Sequence, residues 1–566
     1  MRLQRKIHHM GISLALIAGL SLTAIPLTAN GGNAAPENKI DNDQAIVHLL
    51  NRITYGPRPG DIERVKQMGV SAFIDQQLHP ERIEDSAITE KVKKFDTLNQ
   101  NTQELYSMQP RELVTELQEA KVMRAIYSER QLNEVMVDFW SNHFNVFVGK
   151  GADKFLMTAY DRDTIRPHAM GKFKDLLVAT AESPAMLFYL DNWMNSTPNV
   201  DFATVAREVR GQGMPVPIGR PGIGTGIGAG IGVGVRQAER IRQRQQQQQE
   251  RQAKNGKVPG NGKRKLGINE NYAREIMELH TLGVNGGYTQ KDVVEVAKCL
   301  TGWSIRQPRN DGEFVFRDVM HDNGEKTVLG HKIHAGGMKD GLEVIDLLSH
   351  QPATAHFIST KLVRRFVSDD PPEALVNRVA QTYMSTDGDI RSMLKTILTS
   401  PEFNSPEAYR AKMKSPLEMA ISAVRVLGAD SSDATAIARQ IGRMGMPLYQ
   451  AQPPTGYPDV AESWVNTGLL LERMNFSLQL AANRVPGVSV DLKKLVPGAN
   501  VQEPATYIDH LVKVVLNGNV SAQTRDALTK SWPDMNANAN GVVAQNNAPL
   551  VKTVALLLGS PEFQRR

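Results

Sequence analysis

The stretch NENYAREIMELHTLG (269–283) carries three glutamates, an arginine and a histidine on a helical pattern. At about 100° per residue, Tyr272, Ala273, Ile276, Met277, Leu279 and His280 share one apolar arc, with His280 near its middle. Glu270 and Glu278 each stand four residues from Arg274, so both can pair with it along the surface. Glu275 has no cation three or four residues away. It sits at the edge of the apolar arc, where a carboxylate needs a partner from another element. On a regular helix Glu275 and His280 lie roughly 140° apart, which keeps the pair from serving one ion. The Glu-x-x-His spacing of di-iron bundles and the His-Glu-x-x-His spacing of zinc peptidases are both absent.

A second histidine repeats the pattern. In RQLNEVMVDFWSNHFNVF (130–147), Leu132, Val135, Met136, Phe139 and Trp140 form an apolar arc that also contains His143. Each histidine has a plain reading as a core imidazole bonded to a single partner. Taken together with Glu275, they also make a candidate catalytic set. Glu275 would then be general base or ligand, and His143 and His280 ligands or proton carriers. HDNGEKTVLGHKIH (321–334) offers His321, Asp322, His331 and His334 as candidate metal ligands, although on a turn-rich segment where surface histidines are common. The Pro-rich MPLYQAQPPTGYPDVAESW (446–464) presents Tyr457 and Trp464, which either line a groove for peptide or sugar or pack a connection over the core. The single cysteine, Cys299, stands in an apolar helical pattern. It reads as a buried inert thiol, and being alone it excludes an intramolecular disulfide. No Gly-x-Ser-x-Gly elbow occurs.

The elements that would hold these residues are mostly helical. A 41% hydrophobic chain with 6% aromatic residues and 22 methionines favours helix packing over a β-sandwich. Apolar periodicity predicts helices over 41–53, 59–78, 111–128, 129–147, 154–166, 170–181, 289–301, 339–349, 352–367, 372–384, 388–399, 415–427, 434–442, 461–484, 504–517, 521–529 and 547–558. Ser-Pro pairs at 183, 400, 405, 415 and 560 mark helix starts: Ser caps free N–H groups and Pro at the first position loses no bond. TSPEF (399–403) and GSPEF (559–563) each follow an apolar helix and hint at a repeated unit. Alternation around Asp322-Asn323-Gly324 predicts a β-hairpin over 313–333. The fold class is therefore mainly α, a multi-helix globular body with one small β-hairpin.

The body is interrupted. Residues 203–266 combine a Gly-Ile repeat, a glutamine run and scattered basic residues. This composition cannot bury enough apolar surface to offset ordering, and predicts a disordered insertion. Within it, 206–265 holds 13 Lys and Arg against 3 Asp and Glu. The net charge of +6 therefore resides in the insertion and in Arg2, Arg5 and Lys6, while the rest is net acidic. That distribution argues against a specific nucleic-acid-binding fold; the insertion reads as a solvated tether that can touch an anionic envelope surface. Residues 1–29, a basic start and an uncharged apolar run ending near Ala29, read as a secretory signal peptide. They predict an exported protein, periplasmic or secreted, without a membrane span after signal removal. The parts 30–202 and 267–566 are expected to pack as one unit, since loop closure costs rise slowly with length.

HLLNRITYGPRPGDIERV (48–65), DFWSNHFNV (138–146), NENYAREIMELHTLGVNGGYTQKDVVEVAKCLTGW (269–303), HDNGEKTVLG (321–330), KLVRRFV (361–367) and PPTGYPDVAESWVNTGLLLERMNF (453–476) occur in this order. This series resembles the bacterial exported family filed as domain of unknown function 1800. The resemblance spans nearly all of the chain outside the insertion, and Tyr457 stands where the family usually shows Trp. It implies an exported, mainly helical protein, often encoded beside a second exported family that resembles sulfatases. It implies no reaction, cofactor or catalytic residue. Two functions stay open: a non-catalytic factor binding a partner protein or an envelope or extracellular polymer such as polysaccharide, and a hydrolase-like enzyme, metal-assisted or not, centred on His143, Glu275 and His280.

Overall fold

The computed structural model describes residues 42–198, 200, 205, 267–308, 310–497, 504–532 and 548–566. The expected signal peptide, and the expected insertion apart from Val205, lie outside the described residues.

Helices dominate, and their starts follow local chemistry. Ser415 accepts from the Glu418 N–H while Glu418 reaches back to Ser415, with Pro416 at the first position, so the Pro416–Val426 helix is fixed by a reciprocal cap. Thr289 and Asp292 do the same for Gln290–Cys299. Ser400 and Ser405 behave differently. Their hydroxyls accept from Phe403 and Ala408 N–H groups within a run of turns, so TSPEF does not begin a helix, whereas GSPEF does at Pro561–Gln564. The pattern at 59–78 breaks at Gly69 (φ 89°) into Asp61–Met68 and Val70–Leu78. In 461–484 a short 3₁₀ turn, Ala461–Ser463, precedes the helix Thr467–Ala481.

Two helices contain wider turns. Asp153–Ala159 runs into a π-helical turn at Tyr160–Ile165, and Glu270–Glu275 into another at Ile276–Thr281. In the second, the Leu282 N–H donates to the Met277 carbonyl and the Thr281 hydroxyl to that of Ile276, both five residues back.

The β structure is arranged otherwise than the 313–333 pattern suggests. Glu313–Phe316 pairs antiparallel with Trp303–Arg306, placing Trp303 opposite Phe316, and Lys326–Val328 pairs with His331–Ile333. Between these ladders, the Asp322 N–H donates to Thr301 Oγ1 and His321 Nδ1 meets the Thr301 carbonyl at 2.8 Å. These bonds draw residues 321–322 against the end of the preceding helix and prevent one long hairpin.

The described residues form one compact unit. Its apolar core runs from Ile46 to Phe563 and mixes residues from both sides of the insertion, Trp140, Phe144 and Phe173 with Tyr272, Ile276 and Met277. Buried asparagines stitch the join. Asn195 Nδ2 donates to Ala297 O (2.8 Å), the Asn269 N–H donates to Asn195 Oδ1 (2.8 Å), and Asn192 Nδ2 lies 3.2 Å from the carbonyls of Leu300 and Trp303. Asn195 and Gly267 are bridge partners, so the residues on either side of the expected insertion lie side by side. Cys299 is fully buried, and burial pushes its thiol up to about 12. Among the described residues no helix is long and apolar enough to cross a membrane.

Candidate functional site

His143 is the last residue of the Gln131–His143 helix, whose apolar arc turns it inward until it is 2% exposed. Its Nε2 lies 3.1 Å from the His280 carbonyl, and its Nδ1 lies 2.8 Å from Nζ of Lys361, on the Pro352–Phe366 helix. The partners define the tautomer: Nε2–H donates to the carbonyl and Nδ1 accepts from the lysine. Burial, and then the Lys361 charge, hold the imidazole well below its usual range, so it is neutral. Burial also lowers Lys361 to about 8, with help from Arg364 and against the attraction of Asp459.

His280 is 1% exposed and packs among Phe144 (ring centroids 5.0 Å), His143 (6.1 Å) and Tyr272 (6.4 Å). Burial, then Lys361, holds it down to about 3. Neither ring nitrogen has a hydrogen-bond partner among the described residues, and the Tyr272 hydroxyl also has none. Each such orphan costs about 1–3 kcal/mol, so this is a stretch of interior where packing has won over polar satisfaction.

Glu275 is half-buried, with neither a hydrogen bond nor an ion pair among the described residues. Burial and then Glu278 push it up to about 7, against Arg274. The π-helical turn alters the geometry expected of a regular helix. A wide turn absorbs one extra residue, which brings Glu275 and His280 from roughly 140° to roughly 40° apart around the axis. It also takes Glu278 off the row above Arg274. Arg274 pairs instead with Glu270 (3.3 Å) and Gln290 (2.7 Å), and Glu278 accepts from the Tyr288 hydroxyl at 3.5 Å. The charged ladder expected over 270–278 is thus half formed.

The structure therefore brings His143 and His280 together and adds Lys361, while Glu275 bonds to neither histidine. Lys361 does not stand out in the sequence although a signal exists: it interrupts the edge of the buried stripe Ala355, Ile358, Leu362 and Phe366. Asp153 is a second addition that the sequence patterns do not mark. It is fully buried, both carboxylate oxygens lack partners among the described residues, and burial raises its carboxyl well above the usual range against the pull of Lys150.

Tyr457 and Trp464 face inward. Trp464 is 5% exposed; the Tyr457 hydroxyl donates to Pro447 O (2.8 Å), and the two rings lie 6.1 Å apart. The loop is held by the helix end that carries His143. Asn142 bonds the Tyr457 carbonyl and N–H (2.8 and 2.7 Å), and Asn145 donates to the carbonyls of Ala451 and Pro453. Gly456 (φ 68°) rests against Asn142 so closely that a Cβ would lie 2.3 Å from its carbonyl oxygen.

The four residues singled out as metal ligands are dispersed. His321 is buried with Nε2 3.0 Å from Asp340, which also holds Lys326 Nζ at 2.5 Å; His331 and His334 are exposed, and the Asp322 Oδ1 accepts from the Gly324 N–H. Among the described residues no group of three or more His, Cys, Asp or Glu side chains is placed to hold a metal ion.

Taken together, these features define a mainly helical protein in which segments far apart in the chain, DFWSNHFNV, NENYAREIMELHTLG, KLVRRFV and PPTGYPDV, meet around one buried polar cluster. The chain belongs to the family described as a protein of unknown function, DUF1800, whose model matches residues 48–565. No curated protein and no solved structure matches it.

Proposed function

We propose that this protein is an exported, non-catalytic factor that docks a partner protein, namely the co-exported sulfatase-like protein that the family resemblance implies. The observation that carries this reading is the outer face of the Thr467–Ala481 helix. Leu471, Met474 and Leu478 stand 58, 49 and 50% exposed at the spacing of one helical stripe, and Val465, 47% exposed, lies just before the helix. The other fully exposed positions of the helix are Thr467, Gly468 and Asn475, so the stripe carries no charge. Leu469, Phe476 and Leu480 are buried on the opposite side. An uncharged apolar row of this kind on an exposed helix face suits helix-in-groove recognition by another protein. The polymer reading has less to rest on, because the rings of Tyr457 and Trp464 are turned inward. In a pull-down with the sulfatase-like protein, the Leu471→Glu/Leu478→Glu variant should bind at least tenfold more weakly while keeping its circular dichroism spectrum. Equal recovery with wild type and variant, or no recovery with wild type, would overturn the reading.

One observation favours a second reading, a hydrolase-like enzyme at His143, Glu275 and His280. The half-buried Glu275 and Lys361 are held near neutrality, where general acids and bases work best. Glu275→Gln would then abolish turnover of an ester or sulfate-ester substrate and leave partner binding intact; unchanged turnover would exclude it.

A further inference from the structure

A cleft on another part of the molecule lies between Asn51, Arg410, Lys414, Asn517, Glu562 and Arg565, with Val426, Val515 and Phe563 among its apolar walls. Lys414 is 5% exposed, yet its ammonium has neither a hydrogen bond nor an ion pair among the described residues; it lies 3.8 Å above the centre of the Phe563 ring. The charges around it do not balance. Arg410 spends its guanidinium on the carbonyls of Leu516 and Asn519, at 3.1 Å each, which end the Pro504–Leu516 helix, and neutralises no carboxylate. Arg565 is exposed. The one carboxylate of the lining, Glu562, is already engaged by the Ser521 N–H (2.9 Å) and the Thr524 hydroxyl (3.0 Å). Behind the cleft, Glu418 is shared by Arg365 (2.8 Å) and Arg566 (3.1 Å), and Arg473 bonds Gln564 Oε1 and the Lys414 carbonyl. Three cations thus face one lining carboxylate across this space, and among the described residues none of them forms an ion pair with it.

We propose that this cleft binds a small tetrahedral oxyanion, phosphate or sulfate, seated on Lys414 Nζ and flanked by Arg410 and Arg565. Ammonium and guanidinium groups arriving from separate chain segments suit an acceptor with oxygens on every side. The pH response comes from the surroundings of Lys414. Burial holds its amine down to about 7; Glu418 opposes that shift, and Arg410, Arg566 and Arg473 reinforce it. An anion would restore the proton.

The test is calorimetric titration of the full chain with sodium sulfate and with inorganic phosphate at constant ionic strength set by chloride. Sulfate remains a dianion across the range used, so its pH dependence reports the protein. Expected are saturable one-site binding, proton uptake at pH 7.5, affinity about tenfold lower at pH 8.5 than at 6.5, and at least tenfold weaker binding in Lys414→Met. Arg565→Gln, a surface change that leaves the fold intact, should weaken binding severalfold and serves if Lys414→Met fails to fold. Tighter binding of glycerol 3-phosphate than of the free ion would assign the cleft to ester head groups, and weaker binding to the free ion. Absence of saturable binding, binding abolished by chloride alone, or variants that bind like wild type would overturn the proposal.

Discussion

Excising residues 206–262 should stabilise the body. The hydrogen-bonded seam at Asn195 and Gly267 holds the two ends of a loop of about 70 residues side by side, and the deletion would shorten that loop to about 15. Closing a flexible loop costs entropy as (3/2)RT times the logarithm of its length, so the shorter connection should gain about 1.4 kcal/mol. The assay is urea unfolding followed by tryptophan fluorescence; Trp193 lies two residues from Asn195, and the Trp303 carbonyl accepts from Asn192 beside the seam. The midpoint should rise and the slope should not change, because the slope reports surface buried by folding and a segment of Gly, Gln and Arg is expected to bury none. A lower midpoint or a shallower slope would show that the segment contributes packed surface, and would refute both the tether reading and the assumption that 30–202 and 267–566 fold together without it.

Glu275→Gln should be more stable than wild type at pH 8 by about 1–2 kcal/mol, discounted for partial exposure. The folded carboxyl is raised to about 7 from 4.5, by burial and Glu278 against Arg274. Its contribution is therefore present below pH 4.5 and is lost as pH rises through 7, and the two proteins should converge in acid. Thermal unfolding at pH 4.5 and 8 checks the sign; a constant difference would contradict it. Gly456→Ala should destabilise by about 2–3 kcal/mol, because the added Cβ meets Asn142 in a left-handed backbone conformation; a melting temperature equal to wild type would show that the loop yields.

Local chemistry is legible in the sequence. Ser415, Pro416 and Glu418 announce a helix start because all the bonds involved lie within four residues. Features that depend on distant partners are not legible in this way. Ser400 presents the same Ser-Pro signal but caps a turn, since the conformation of the residues after it is set by packing. The pattern does not mark Trp303–Arg306 as a strand because its partner Glu313–Phe316 reads as half of another pairing, and only the pull of Thr301 on His321 and Asp322 separates the alternatives. For the candidate site, apolar periodicity correctly turns His143 and His280 inward. It cannot supply Lys361, which reaches His143 from over two hundred residues away. Nor can it foresee the wide turn, because it reads a period of 3.6 where the chain adopts a longer one.

That turn makes chain length a variable in its own right. Removing any one of the four residues between Glu275 and His280 would let the helix relax to its ordinary pitch, and four regular positions would still leave the two roughly 40° apart. Both residues would remain in the sequence, in order and one position closer. A relative could thus lack one residue here and keep the arrangement, whereas one of the same length that wound a regular helix would swing His280 roughly 100° away from the side of Glu275.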